Sequence, residues 1–289
     1  MRERDWRIAF ETMRAYPRVM LSPDMISELD AFLVELNRAS SAAILPLFRG
    51  DSGMIDKGGA AGFDPVTEAD RGAEAAIRKL ILERYPTHGV IGEEYGEDQP
   101  DAEFVWVLDP VDGTRAFISG LTGWTTLIAL RHEGRPVLGS IGQPYIGELF
   151  IGSQALGSRL MSRGESRVLK TRPCPDFSTA LIATTDPEAC FNPDEYAAWR
   201  ALRKATRLAR TSQDAYGYAM VALGCMDIVV ESGLKCWDLE SCIPLIEGAG
   251  GLVTDWRGRT IGKDGGQMIV AGDRAGLEAT LAIVEAAAR

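Results

Sequence analysis

The sequence predicts an α/β protein whose first half builds an antiparallel sheet and whose second half alternates strands with helices. Three observations carry this expectation. Ile26, Leu29, Phe32, Leu33 and Leu36 recur at helical spacing near the start. Apolar runs at 124–130, 137–141 and 148–151 are separated by turn residues, Gly134-Arg135-Pro136 and Tyr145-Ile146-Gly147, and read as a meander. Beyond Pro173 and Pro175, strand-like and helix-like segments take turns, as layered α/β domains require.

In chain order, residues 1–21 carry no core pattern and are read as an N-terminal extension without assigned function. Ser22-Pro23-Asp24 starts a helix, with Ser as N-cap, Pro at the first position and an acid in the first turn. That helix is expected to end near Arg49-Gly50. Residues 58–62 are Gly-rich and flexible. Thr67 with Asp70 resembles a capping box opening a helix to about Arg84, with Ala73, Ile77, Leu80 and Ile81 inward. Glu68, Asp70 and Glu74 near its start complement the helix dipole unless one has a further role. Val90-Ile91-Gly92-Glu93-Glu94 is a short apolar run ending in paired acids, ordinarily solvated loop charges. Residues 160–169, with a turn at Ser162-Arg163-Gly164, complete the sheet. Pro173 and Pro175 divide the chain into expected domains 22–172 and 173–289. Then follow a strand at 180–184, helices at 195–204 and 215–223, and a strand at 228–231. A helix enters at Cys236-Trp237-Asp238 and runs to about Gly248. Strands at 253–255 and 267–271 and a closing helix at 275–288 end the chain.

The stretch around which the rest is organised is 104–117. Residues 104–108 form a buried strand, and Pro110, which has no N–H, is expected to stop its ladder. Asp112-Gly113 is a turn pair and Thr114 opens a short helix. Two carboxylates, Asp109 and Asp112, therefore stand where strand gives way to helix. Carboxylates hold divalent cations; a helix start holds anions such as phosphate. Together they are the layout of metal-assisted phosphoryl transfer.

Composition sets bounds on this reading. With 46% hydrophobic and 25% charged residues the chain is globular, and no apolar run reaches a membrane span. The charged N-terminus lacks the apolar core of a secretory signal, which with the cysteines leads to an expected cytoplasmic location. A net charge of −10 argues against nucleic acid as partner. The same charge is compatible with a phosphate substrate only if bound cations reverse the local field. The five cysteines, Cys174, Cys190, Cys225, Cys236 and Cys242, show no CxxC spacing, so they are read as reduced thiols and not a zinc site. Two histidines, His88 and His132, are too few for a mechanism built on several.

Four motifs then stand in one order: Asp64-Pro65-Val66-Thr67-Glu68-Ala69-Asp70; Gly92-Glu93-Glu94; Asp109-Pro110-Val111-Asp112-Gly113-Thr114; and Trp237-Asp238, with Gly248-Ala249-Gly250-Gly251 after them. Over about residues 25–285 the chain resembles the inositol monophosphatase family of Mg²⁺-dependent, lithium-sensitive phosphatases. The resemblance implies a layered αβαβα sandwich with an antiparallel N-terminal sheet and a mixed C-terminal sheet, and a homodimer. It implies that Glu93, Asp109 and the carbonyl of Val111 bind a first Mg²⁺. Asp109, Asp112 and Asp238 bind a second, and a third uses Glu93 and water. Asp70 and Thr114 orient and deprotonate the attacking water, and the N–H groups of Gly113 and Thr114 hold phosphate oxygens.

Within the family, residues 112–130 and 134–144 resemble the histidinol-phosphate phosphatase branch, although Thr125 stands where that branch usually has Gly and Cys236-Trp237 is closer to the inositol branch. By similarity Glu231 contacts substrate hydroxyls, and Asp214 lies at the substrate-facing start of a helix. Histidinol phosphate carries an ammonium, which an added carboxylate suits and a neutral polyol does not. Otherwise Asp214 caps its helix. The expected reaction is hydrolysis of L-histidinol phosphate in histidine biosynthesis. The alternatives are an inositol 1-phosphate or broad monophosphatase, and a non-catalytic binding protein of the same fold.

Overall fold

The computed structural model describes residues 21–57 and 65–287. The expected extension, apart from Leu21, the Gly-rich stretch and Asp64 lie outside them.

Helix α1 (Pro23–Ile44) begins as expected, Ser22 Oγ accepting from Met25 N at 3.2 Å. It stops at Ile44 and not near Gly50. Pro46 has no N–H to donate to the Ala42 carbonyl, so the ladder ends at Leu45, which is itself helical at φ −58° and ψ −36° and serves as the cap. Two-residue strands β1 (Ile55–Asp56) and β2 (Pro65–Val66) pair antiparallel ahead of α2 (Glu68–Arg84). The α2 capping box is present, with Thr67 N donating to Asp70 Oδ2 at 2.8 Å.

The large sheet contains β3 (Gly89–Gly92), β4 (Gly96–Asp98), β5 (Phe104–Asp112), β6 (Thr125–His132), β7 (Arg135–Gln143), β8 (Glu148–Ser153), β9 (Gly157–Ser162) and β10 (Glu165–Val168). They lie in the order β10-β9-β8-β7-β6-β5-β3-β4. Helix α3 (Thr114–Ile118) interrupts the series after β5. The meander is as expected. The sheet is antiparallel except at one pairing: β3 runs parallel to β5, with Gly92 opposite Leu108. Nor does Pro110 end its strand. The ladder from β5 to β6 resumes beyond it, Asp109 facing Leu127 and Asp112 facing Thr125. Three steps on one strand oppose two on the other, a bulge that absorbs the residue without an N–H and turns the strand end.

The second sheet has the order β12-β11-β13-β15-β14, formed by β11 (Leu181–Ala183), β12 (Leu208–Arg210), β13 (Ile228–Leu234), β14 (Leu252–Thr254) and β15 (Gly266–Ala271). It is mixed, as expected: β11 is parallel to β12 and β13, and β15 is antiparallel to β13 and β14. Its helices are α4 (Pro187–Cys190), α5 (Pro193–Ala205), α6 (Asp214–Ala222), α7 (Cys236–Leu239), α8 (Cys242–Gly248) and α9 (Arg274–Ala287). The single helix expected from Cys236 to Gly248 is two, α7 and α8. Pro244 cannot donate to the carbonyl of Glu240 and clashes with it, but is tolerated in a first turn, so a new helix starts at Cys242.

The layers follow from strand alternation. In β6, Ile128 and Leu130 face α1 and α2, packing with Phe32, Leu33, Leu36 and Ile77. Leu127 faces the opposite way, into a core shared with α6, α8 and the inner face of the second sheet. In that sheet Val229 and Val270 join this inner core, whereas Ile228, Val230 and Ile269 face α5 and α9. The result is helices, sheet, helices, sheet, helices. Leu160 and Leu169 from before Pro173 share the inner core with Ala215 and Leu245 from after it, so Pro173 separates the sheets but not the core.

Candidate active site

The parallel pairing within the large sheet is what builds the site. Because β3 and β5 run the same way, their carboxyl ends emerge side by side, where α/β sheets place ligands. Glu93 follows β3 and its N–H donates to Leu108 O at 3.3 Å, which puts it beside Asp109. The β5 bulge separates Asp109 from Asp112. Asp109 Oδ1 accepts from Val111 N at 3.2 Å. Asp112 Oδ2 accepts from Thr125 Oγ1 at 3.2 Å and from Ala215 N at 2.8 Å, so an acid of the first half caps helix α6 of the second. Asp238, in α7, accepts through Oδ2 from Lys235 N at 2.7 Å.

These acids are brought within Coulombic reach of one another. Burial, then Asp238 and Glu94, push the Glu93 carboxyl up to about 8. Burial, then Glu93, Asp112 and Asp238, hold Asp109 well above the usual carboxylate range. Burial raises Asp112 to about 7, with Asp214 adding to it, and raises Asp238 to about 7, with Asp112 adding to it. Asp70 rises to about 6, mainly by burial and against the hydrogen bond from the Thr67 hydroxyl.

Such a set suits a hard divalent cation. Asp109, Asp112 and Asp238 each spend one oxygen on local N–H or O–H donors and leave the other without a hydrogen bond from any described residue. Among the described residues no three acid, His or Cys side chains close into a ready cage. Mg²⁺ does not need one, since it binds through one or two carboxylates and keeps several waters.

Gly113 has φ +80°, and a Cβ on it would lie 3.2 Å from both Asp214 Cγ and Trp124 Cα. Only glycine fits there, and it leaves the backbone at the start of α3 open beside Asp214. The Asp70–Thr114 pair is not hydrogen-bonded. Thr114 Oγ1 donates to Val111 O at 3.1 Å, and Asp70 Oδ2 accepts from Thr67 Oγ1 at 2.5 Å. Glu231, in the middle of β13, is 2% exposed and accepts from Thr184 Oγ1 at 3.2 Å and Thr185 Oγ1 at 3.0 Å. Burial lifts it to about 8. Asp214 is half-buried at φ +43° and does not cap its helix, whose N-cap is Gln213. Burial raises it to about 6, with Arg115 opposing the shift and Asp186 adding to it.

Sequence reasoning undervalued Glu74. It is fully buried, and its carboxylate receives Arg78 Nε at 2.7 Å, Glu94 N at 2.9 Å and Tyr95 N at 3.2 Å. A Cβ on Gly92 would fall 2.1 Å from its Oε1. Glu74 therefore holds the turn that presents Glu93, one helical turn after Asp70. An acid four residues past a capping Asp and followed by Arg at i+4 was the available signal; its long-range partners were not. Replacement by Gln supplies donors where the part-buried N–H groups need an acceptor. Glu74→Gln is expected to cost about 2–3 kcal/mol in urea unfolding; an unchanged midpoint would remove this bracing role.

Among the described residues no helix is long and apolar enough to cross a membrane. Comparison with known proteins agrees with the geometry. Residues 25–288 match the inositol monophosphatase family. The bifunctional phosphatase IMPL2, chloroplastic, of Arabidopsis thaliana is 40% identical over 245 residues, 82% of this chain and 68% of that one. A histidinol-phosphatase of Chlorobaculum parvum is 34% identical over 219 residues, 76% of this chain and 83% of that one. The solved inositol monophosphatase of Zymomonas mobilis superposes with a TM-score of 0.79 at 40% identity, covering 90% of this chain and 98% of that one. The chain belongs to the inositol monophosphatase family, phosphatases that are generally Mg²⁺-dependent and act on small phosphorylated substrates.

Proposed function

We propose that the protein hydrolyses L-histidinol phosphate to L-histidinol and phosphate in histidine biosynthesis, in the cytoplasm, where its five free thiols stay reduced. Glu93, Asp109 and the Val111 carbonyl would hold one Mg²⁺, and Asp109, Asp112 and Asp238 would hold a second once their side chains draw together on it, with waters completing each shell; Glu93 and water would hold a third, weaker ion. When bound, these ions neutralise charge on the phosphoryl group, acidify the attacking water and stabilise the leaving oxygen. The Gly113 and Thr114 amides at the start of α3 bind phosphate oxygens. Asp70, raised only to about 6, is ionised at neutral pH and takes the proton of the attacking water. Thr114 first has to rotate its hydroxyl away from Val111 O to relay that proton. The water oxygen forms the new P–O bond, the ester P–O bond breaks with its electron pair passing to the alcohol oxygen, that oxygen takes a proton from solvent water, and Asp70 returns its proton to solvent.

The observation that carries the substrate is Asp214. It is held beside Gly113 without a capping role, and its carboxylate takes no hydrogen bond from a described residue. An amine-bearing substrate gives it and Glu231 the positive charge that burial denies them, and a neutral polyol does not. The second reading, inositol 1-phosphate hydrolysis, is favoured by the likeness to the Zymomonas mobilis structure. Purified protein assayed with Mg²⁺ on both esters separates them. Histidinol phosphate is expected to be preferred, with Asp214→Asn raising its KM about tenfold and leaving KM for inositol 1-phosphate within about twofold. Preference for inositol 1-phosphate overturns the substrate assignment.

A further inference from the structure

Asp238 is the acid that the second half of the chain brings to the first, and it rides on α7, a helix of 4 residues. So short a helix has little rigidity of its own. Immediately after it, Glu240 is 3% exposed and receives two edges of the Arg131 guanidinium: Nε donates to Oε2 at 2.5 Å, and a terminal N–H donates to Oε1. Arg131 is buried as well, on β6, whose opposite end carries the Thr125 hydroxyl bonded to Asp112. On the same face Cys236 and Trp237 pack against Ile91, Val105, Val107 and Ala129. The backbone just beyond is pressed onto the sheet, since a Cβ on Gly139 would lie 2.2 Å from Ser241 O.

A buried ion pair is a poor source of stability, because apolar side chains of similar volume do as well or better. What a side-on, two-point pair supplies is orientation. We propose that Arg131 and Glu240 form a positioning pair that holds Asp238 against Glu93, Asp109 and Asp112, so that a cation is shared between the two halves of the chain. Neither residue touches substrate. The inference rests on the cation site of the preceding section.

The test uses the full chain and Mn²⁺ as probe, with free ion followed by its EPR signal. Wild type is compared with Glu240→Gln and with the apolar double variant Arg131→Met/Glu240→Leu. Both variants are expected to bind Mn²⁺ about tenfold or more weakly. In EDTA the double variant is expected to melt at or above the wild-type temperature. A pair that is merely structural would move the melting temperature and leave Mn²⁺ affinity alone. A folded double variant with wild-type affinity, or one that cannot fold, overturns the proposal; should Glu240→Gln not fold, the double variant decides. If wild type itself takes up no Mn²⁺, the cation reading has failed. If wild type binds and the variants bind equally well, only the positioning pair has failed.

Discussion

Replacing Asp112 by Asn is expected to lower kcat by about three orders of magnitude while leaving the cation-free protein as stable as before or more so. The two effects have one cause. Asp112 is half-buried among like charges, with Asp214 beside it and Asp109 sensing it, and its carboxyl is pushed up to about 7. Without a cation its negative charge works against folding. An amide oxygen still accepts from Ala215 N, so the cap of α6 survives. Repulsion falls, and the melting temperature in EDTA should hold or rise by about 2 °C. On the proposed function, catalysis would lose a cation ligand at the phosphoryl group, and Lewis-acid stabilisation of several kcal/mol corresponds to roughly a thousandfold in rate. Steady-state kinetics and calorimetry on one preparation check both halves. Wild-type kcat would refute Asp112 as a ligand. Lost activity with a lower melting temperature in EDTA would mean that the residue acts through the fold.

Added Mg²⁺ should stabilise the protein much more at pH 8 than at pH 5. For the acids Asp70, Glu93, Asp112 and Asp238, with folded values of about 6, 8, 7 and 7, the folded state binds more protons than the unfolded chain between about pH 4 and 8. The stability contributed by that protonation is complete below pH 4 and is lost as pH rises through the folded values. At pH 5 protons occupy the place a cation would take, so binding has to displace them; at pH 8 it does not. At a hundred times its dissociation constant, one bound ion adds about 2.7 kcal/mol, about 5 °C or more at this chain length. The difference between melting temperatures with Mg²⁺ and with EDTA is therefore expected to grow from pH 5 to pH 8. Contributions to stability that do not involve the cation are the same with Mg²⁺ and with EDTA and drop out of that difference. A difference that is flat or shrinks toward pH 8 would show that these acids do not share a cation.

Much of this arrangement could be read locally. The Thr67–Asp70 capping box, the Ser22-Pro23 start of α1 and the alternation in β6 depend on neighbours within a turn or a strand, and they fold as written. The misreadings have two physical sources. Pro46 and Pro244 each lack the N–H that would bond the carbonyl four residues back, which the periodicity of apolar positions does not register. Pro110 was read by the general rule for strands, but a bulge gave it a place without breaking the ladder. Short edge strands such as β4 and β12 have too few residues to show a period of two.

By itself the sequence determined which residue types were available: carboxylate oxygens at Glu93, Asp109, Asp112 and Asp238, a glycine at 113, and the helix starts beside them. The tertiary structure alone decided that these acids meet. Glu93 stands by Asp109 because β3 and β5 pair parallel, and Asp112 caps a helix 103 residues further on. Glu74 and Glu240 are braces only because of the backbone and guanidinium groups that packing places against them. Pairing across such distances is set by how apolar faces bury one another over the whole chain, and no window of sequence contains that information.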